Sequence, residues 1–185
     1  NLIFTNITFS GYGMEKSVNS TQIVQNVTYI NTISSGTGGV FEASDSTIIM
    51  DNVIFNQTSS SGPGGVFNIT NTTVNATNVN FTDCNASNGG VFNTLNSRIN
   101  LTNVNFTRCN TTGGNGGVIA STNSNITISN ANFNTTYARS TGGAFSIRNT
   151  NLNITNANFT NTKAGSPGGI VDFTSSNVSI IDSNI

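Results

Sequence analysis

The sequence contains no histidine and no tryptophan, only two cysteines and two prolines, and just six basic and seven acidic side chains in 185 residues. Charged residues are 7% of the chain, against roughly 25% in ordinary soluble domains. A net charge of −1 with no Lys/Arg cluster removes the electrostatic footprint that nucleic acid or an anionic membrane requires, so neither partner is expected. No apolar run approaches the roughly 18–20 residues of a membrane span. The start, Asn1-Leu2-Ile3-Phe4, lacks the basic flank and long apolar stretch of a signal peptide and reads as mid-protein sequence. With no histidine and with scattered acids, no residue set for metal ligation or acid–base catalysis is evident. A non-enzyme without metal or cofactor is therefore expected.

What is present is polar and uncharged: 34 Asn, 28 Thr and 22 Ser. Such tracts often fail to bury a core, yet Leu, Ile, Val and Phe make up about a quarter of the chain, above the level of roughly 20% below which disorder is expected. Ile and Val outnumber Leu by 32 to 4, and good helix formers are scarce, which favours strands. An all-β single domain over residues 1–185 is predicted.

Gly-Gly pairs recur at Gly38-Gly39, Gly64-Gly65, Gly89-Gly90, Gly116-Gly117, Gly142-Gly143 and Gly168-Gly169, in steps of 25 to 27 residues. A second column of large residues shares the period: Phe9, Tyr29, Phe55, Phe81, Phe106, Phe133, Phe159 and Ile185. Positions seven, five and two before that column are also apolar, as at Val74, Ala76 and Val79 ahead of Phe81. Even spacings are strand alternation, and the odd step between five and two before requires a corner. The corner carries Asn6, Asn26, Asn52, Asn78, Asn103, Asn130, Asn156 and Asp182. Asn tolerates the left-handed conformation, and its stacked amides would form an inward ladder. A third strand follows each Gly pair, as at Val66-Phe67. Three strands and three corners per coil of about 26 residues, repeated in register, describe a parallel β-helix solenoid. The first coil, 9–29, is short at 20 residues and is expected to carry a differently shaped loop over Gly11 to Ser20. Both ends are expected to lie open, so that the chain stacks end to end or continues in a longer repetitive protein.

The coil length and Asn corner resemble the right-handed β-helices of the pectin-lyase-like superfamily. The Gly-Gly-Val-Phe strand ahead of a Phe column is similar to the repeats of chlamydial polymorphic outer-membrane proteins. Those bacterial repeats carry Asn three residues after the Phe, whereas this chain has Thr32, Thr58, Cys84, Cys109, Thr136 and Thr162 there. The resemblance implies a right-handed parallel β-helix. It also implies two alternatives for function: an adhesin or autotransporter-like passenger that binds a carbohydrate or other cell-surface ligand, or a polysaccharide lyase or hydrolase.

Asn-x-Ser/Thr sequons occur at Asn6, Asn19, Asn26, Asn56, Asn68, Asn71, Asn75, Asn80, Asn85, Asn100, Asn105, Asn110, Asn125, Asn134, Asn153, Asn158 and Asn177. That is about twice the number expected in a shuffled chain of the same composition. N-linked glycans would keep a nearly uncharged β-structure soluble, and imply an extracellular or cell-surface protein made through the secretory pathway. The competing explanation is that outward strand positions favour polar β-formers, which generates Asn and Thr two apart without sugar. Asn75, Asn80, Asn100, Asn105, Asn153 and Asn158 are expected to face solvent. Asn6 and Asn26 are expected to be hidden in the corner ladder.

Cys84 and Cys109 share a column on consecutive coils, within Cα reach of a disulfide, and two buried thiols in place of Thr fit equally. Asp83 and Arg108 share the adjacent column and are placed to form a cross-coil ion pair. Glu42 and Asp172 share another, but five coil steps, on the order of 24 Å at about 4.8 Å each, keep them from acting together. The reading that combines these observations is a non-catalytic structural segment of an N-glycosylated extracellular fibre or surface protein.

Overall fold

The computed structural model describes residues 2–166 and 168–185, which form strands and turns with no helix among them. They build a parallel β-solenoid of about seven turns, with three strands per coil. The first sheet holds the long strands Leu2–Phe9, Thr21–Ser34, Thr47–Ser60, Thr73–Thr82, Arg98–Thr107, Asn125–Asn134, Asn151–Thr160 and Asn177–Ile181. Short strands such as Asn85–Ala86, Asn110–Thr111 and Tyr137–Ala138 extend it. The second sheet stacks Glu15–Val18, Phe41–Ser44, Phe67–Thr70, Phe92–Leu95, Ile119–Thr122, Phe145–Arg148 and Val171–Thr174.

Successive coils lie in register, with Phe81 paired to Phe55 on one side and Phe106 on the other. Period-2 alternation therefore places whole columns of side chains between the sheets, including Ile48, Val74, Ile99, Ile126 and Leu152, all buried. One aromatic column stacks face to face, with ring centroids 5.1 Å apart for Phe55–Phe81, 5.0 Å for Phe81–Phe106 and 4.9 Å for Phe106–Phe133. A second column, from the strands after the Gly pairs, stacks at 5.0 Å for Phe41–Phe67 and 4.5 Å for Phe67–Phe92. The two columns meet edge-on, as in Phe81–Phe92 at 5.8 Å. Offset stacks and edge contacts are the arrangements the ring quadrupole favours.

The long strands from Thr21–Ser34 to Asn151–Thr160 bend at the expected Asn corner, where Asn26, Asn52, Asn78, Asn103, Asn130 and Asn156 adopt φ of 53–56°, and Asp182 follows the last strand at 51°. One left-handed residue reverses the alternation, which explains the odd spacing. Two further left-handed columns of non-glycine residues accompany it, besides the first glycines of the Gly pairs, Gly38, Gly64, Gly89, Gly116, Gly142 and Gly168. One runs through Asn6, Asn31, Gln57, Asp83, Arg108, Thr135 and Asn161, the other through Asn19, Asp45, Asn71, Asn96, Asn123, Asn149 and Ser175.

The first coil differs from the sequence expectation. Phe4, not Phe9, pairs with Tyr29 and stacks on it at 5.3 Å, while Phe9 pairs with Ser34. Asn6 accordingly lies in the column of Asn31, whose amide donates to it at 2.8 Å. The segment expected as an irregular loop contributes the strand Glu15–Val18, paired with Phe41–Ser44. Aromatic residues at both 4 and 9 fit the period by type, and only strand pairing separates them.

A buried hydroxyl column follows the third corner. The Thr72 N–H donates to Ser97 Oγ at 3.1 Å, the Ser97 N–H to Ser124 Oγ at 3.0 Å and the Ser124 N–H to Thr150 Oγ1 at 3.3 Å. Each hydroxyl in turn donates to the carbonyl two residues earlier in its own coil, as Ser97 does to Leu95 at 2.7 Å. The left-handed residue turns these N–H groups out of the main-chain ladder, and the hydroxyl of the next coil receives them. Ser97→Ala is expected to leave the buried Thr72 N–H unpaired and cost about 1–3 kcal/mol in chemical denaturation. A cost below about 0.5 kcal/mol would show that the hydroxyl column is incidental.

Candidate functional site

Alternation that points Ile, Val and Phe inward points Asn, Thr and Ser outward, so the solenoid surface consists of axial columns of amides and hydroxyls. Many amides join coil to coil. Asn100 donates to Asn75 at 2.8 Å, Asn105 to Asn80 at 2.7 Å, Asn132 to Asn105 at 2.8 Å and Asn177 to Asn151 at 2.9 Å. The Asn corner forms its own ladder, with Asn52 donating to Asn26 at 2.7 Å, Asn130 to Asn103 at 3.0 Å and Asn156 to Asn130 at 2.8 Å. Asn78 accepts from Asn103 at 3.1 Å and donates to Asp51 at 3.0 Å in place of Asn52.

None of the 17 sequon asparagines is buried. Asn6, Asn19, Asn26, Asn71, Asn80, Asn105, Asn125, Asn134, Asn153 and Asn177 are exposed, and Asn56, Asn68, Asn75, Asn85, Asn100, Asn110 and Asn158 are half-buried. This corrects the expectation for Asn6 and Asn26. The corner ladder runs along an outer edge of the coil, because a left-handed residue at a convex bend directs its side chain away from the core. Asn75, Asn100 and Asn158 are less open than expected because neighbouring coils stand close beside them.

Cys84 and Cys109 are both buried, and the structure shows them as free thiols. Stacked side chains on parallel strands point the same way and often miss the torsion a disulfide needs. They continue a buried column with Thr32, Thr58 and Thr136. Thr58 Oγ1 donates to Cys84 Sγ at 3.1 Å, and Cys109 Sγ donates to the Phe81 carbonyl at 3.6 Å. Burial, then the contact with Cys84, pushes the Cys109 thiol well above its ordinary value, so the reactive thiolate is suppressed.

Asp83 and Arg108 form the expected cross-coil pair, a fork in which Nε and Nη2 each donate at 2.7 Å. The hydrogen bond from Arg108 holds the Asp83 carboxyl below its ordinary value. The side chains remain 55% and 36% exposed for Arg108 and Asp83, so the pair sets register more than it stabilises.

Glu15 departs from its surroundings by occupying the inward column of Phe41, Phe67 and Phe92. Its carboxylate accepts from the Tyr29 hydroxyl at 2.7 Å. Burial raises the Glu15 pKa, partly offset by that bond, and the Tyr29 hydroxyl is raised by burial and by the Glu15 charge. A carboxyl raised on folding contributes most below its unfolded value and loses that contribution as pH rises through the folded one. The stability advantage of Glu15→Gln over the native protein is therefore expected to grow from acid to neutral pH. A pH-independent difference in thermal midpoint would contradict this.

Register confirms that Glu42 and Asp172 share a column five steps apart. Among the described residues no three of His, Cys, Asp and Glu gather as a metal-holding group. Among the described residues no helix is long and apolar enough to cross a membrane.

The sequence reading did not identify the trough over the outer face of the second sheet, lined by Asn88, Asn93, Asn115, Ser146, Arg148 and Asp172. A hydrogen-bond chain forms its wall. Asn115 N–H donates to Asn88 Oδ1 at 2.9 Å, Asn88 to Asn93 at 3.1 Å, Asn93 to Asn68 at 2.7 Å, and Asn68 to Glu42 at 3.0 Å. The Thr141 hydroxyl donates to Asp172 at 2.6 Å. The available signal was the residue before three consecutive Gly pairs, Asn88, Asn115 and Thr141, which is polar at the coil period.

The fold places the chain in the class of parallel β-solenoids with three-strand coils. Compared with protein-family models, curated proteins and solved structures, the chain matches none.

Proposed function

We propose that the chain is a non-catalytic structural segment of an N-glycosylated extracellular fibre or cell-surface protein. The observation that carries this reading is the outer surface: uncharged amide and hydroxyl columns in which all 17 sequon asparagines remain accessible. Sugars there would give solubility that 13 charges in 185 residues do not. A rigid rod needs no reactive group, and its stacked columns supply stiffness. End-to-end association, or continuation of the same repeat in a longer chain, belongs to this reading. Neighbouring coils stand about 4.8 Å apart, closer than two branched glycans can sit. Paired sequons such as Asn80 and Asn105 are therefore expected to be occupied alternately. Glycopeptide mass spectrometry of protein secreted from a eukaryotic host tests this; bare asparagine at every sequon would overturn it.

A second reading, an adhesin that holds a carbohydrate or other polar ligand, is favoured by the trough at Asn93, Ser146, Arg148 and Asp172. Glycan-array binding that is lost in Arg148→Ala would support it over a purely structural role.

A further inference from the structure

We propose that Tyr137 is the stacking platform for the first sugar of an N-linked glycan on Asn110, an inference that rests on reading the sequons as glycosylation sites. Ser59, Asn85, Asn110, Tyr137 and Lys163 form one outward column across five coils. The rings of the Phe columns stack in the core, whereas Tyr137 is 43% exposed and has no ring partner among the described residues. It walls an open pocket whose other sides are Asp83, Asn85, Arg108, Asn110 and Thr135.

Three observations point to a sugar in that pocket. First, Asn110 and Tyr137 are direct partners on parallel strands, so their side chains leave the sheet side by side, about 4.8 Å apart. The rings inside this protein stack at 4.5–5.3 Å, and a pyranose carried on the Asn110 amide stands at the same distance from the Tyr137 ring. The electropositive C–H face of a β-linked hexosamine suits the negative face of the aromatic ring. Second, the Asn110 amide makes only a long 3.4 Å bond to the Arg108 carbonyl. One of its two hydrogens can give way to the glycosidic bond while the other keeps that contact. Third, Asn85 Oδ1, on the far side of Asn110, is buried without any partner. An acceptor in that state requires a donor, and rotation of the Asn85 amide toward the pocket would present it to the acetamido N–H of an N-acetylhexosamine.

The corner beneath is built to hold the pocket open. Arg108 and Thr135 adopt φ of 52° and 57° in a column where other coils place Asn, Gln or Asp, and a β-branched Thr there is strained. The Asp83 fork fixes the Arg108 side chain along the rim. With a sugar on Asn110 seated between Asn85 and Tyr137, the Asn85 sequon is blocked.

The test uses the full chain secreted with high-mannose glycans and trimmed enzymatically to one N-acetylglucosamine per site. Site-resolved mass spectrometry should find Asn110 occupied and Asn85 bare, with Asn85 gaining sugar in Asn110→Gln. In NMR spectra the ring protons of the Asn110 sugar should be shifted upfield, the shift kept in Tyr137→Phe and lost in Tyr137→Ser. The unglycosylated Tyr137→Ser protein should unfold at the native midpoint, which separates loss of stacking from loss of fold. An occupied Asn110 whose sugar resonances are the same in the native protein and Tyr137→Ser overturns the stacking and leaves the glycoprotein reading intact. Sugar at other sequons with none at Asn110 does likewise, and sugar at none overturns both.

Discussion

Gly90→Ala is expected to disrupt the solenoid strongly. A Cβ at Gly90 would stand 2.1 Å from the Gly117 carbonyl oxygen and within 2.7–2.9 Å of the Asn110 backbone. All of these are main-chain atoms, so no side chain can rotate away. Relief requires the coils to separate locally. Overpacking alone costs about 1–3 kcal/mol, and each ladder bond lost adds roughly 1 kcal/mol. A loss above about 3 kcal/mol in denaturant unfolding is expected. Gly113→Ala is the control, because nothing lies within 4 Å of its Cβ position and its φ is ordinary. Its midpoint should remain within about 0.5 kcal/mol of the native protein. Equal effects of the two substitutions would show that close approach of the coils does not govern the Gly columns.

The second large effect is expected at Phe106, which is fully buried and stacks on Phe81 and Phe133 at 5.0 and 4.9 Å. Phe106→Ala removes a ring from the middle of a continuous column. The rigid coil spacing on either side prevents the gap from closing, so a cost of about 3–5 kcal/mol is expected. Phe159→Ala, nearer the end of the same column and slightly less buried, should cost less. In a solenoid each coil contacts only its neighbours, so the damage should localise. Hydrogen exchange in Phe106→Ala should accelerate in the coils around 98–134 and much less around 41–60. Uniform acceleration along the chain would instead indicate a single cooperative unit, with no coil-by-coil character.

Much of this architecture was legible because the repeat is long and its markers are independent. Gly pairs, the Phe column and the Asn corner all return every 25 to 27 residues, and only stacking makes one period serve three kinds of residue. The Asp83–Arg108 pair was legible for the same reason. The first coil was misassigned because Phe4 and Phe9 have the same chemistry. Strand pairing chose Phe4 by aligning Leu2 with Val27 and Asn6 with Asn31. The left-handed column through Asn31 was not legible because Gln57, Arg108 and Thr135 interrupt it, and a mixed column hides its conformation.

The outer surface divides along the same line. Its composition, columns and sequons belong to the sequence, since alternation decides which residues face away from a core. The exposure of Asn6 and Asn26, the burial of the Cys84 and Cys109 thiols, the burial of Glu15 against Tyr29, and the pocket between Asn110 and Tyr137 were decided by tertiary structure alone. Each depends on the direction a side chain takes at a bend or beside a neighbouring coil. Spacing along the chain states which residues share a column; the hand of the backbone at each corner decides where that column points.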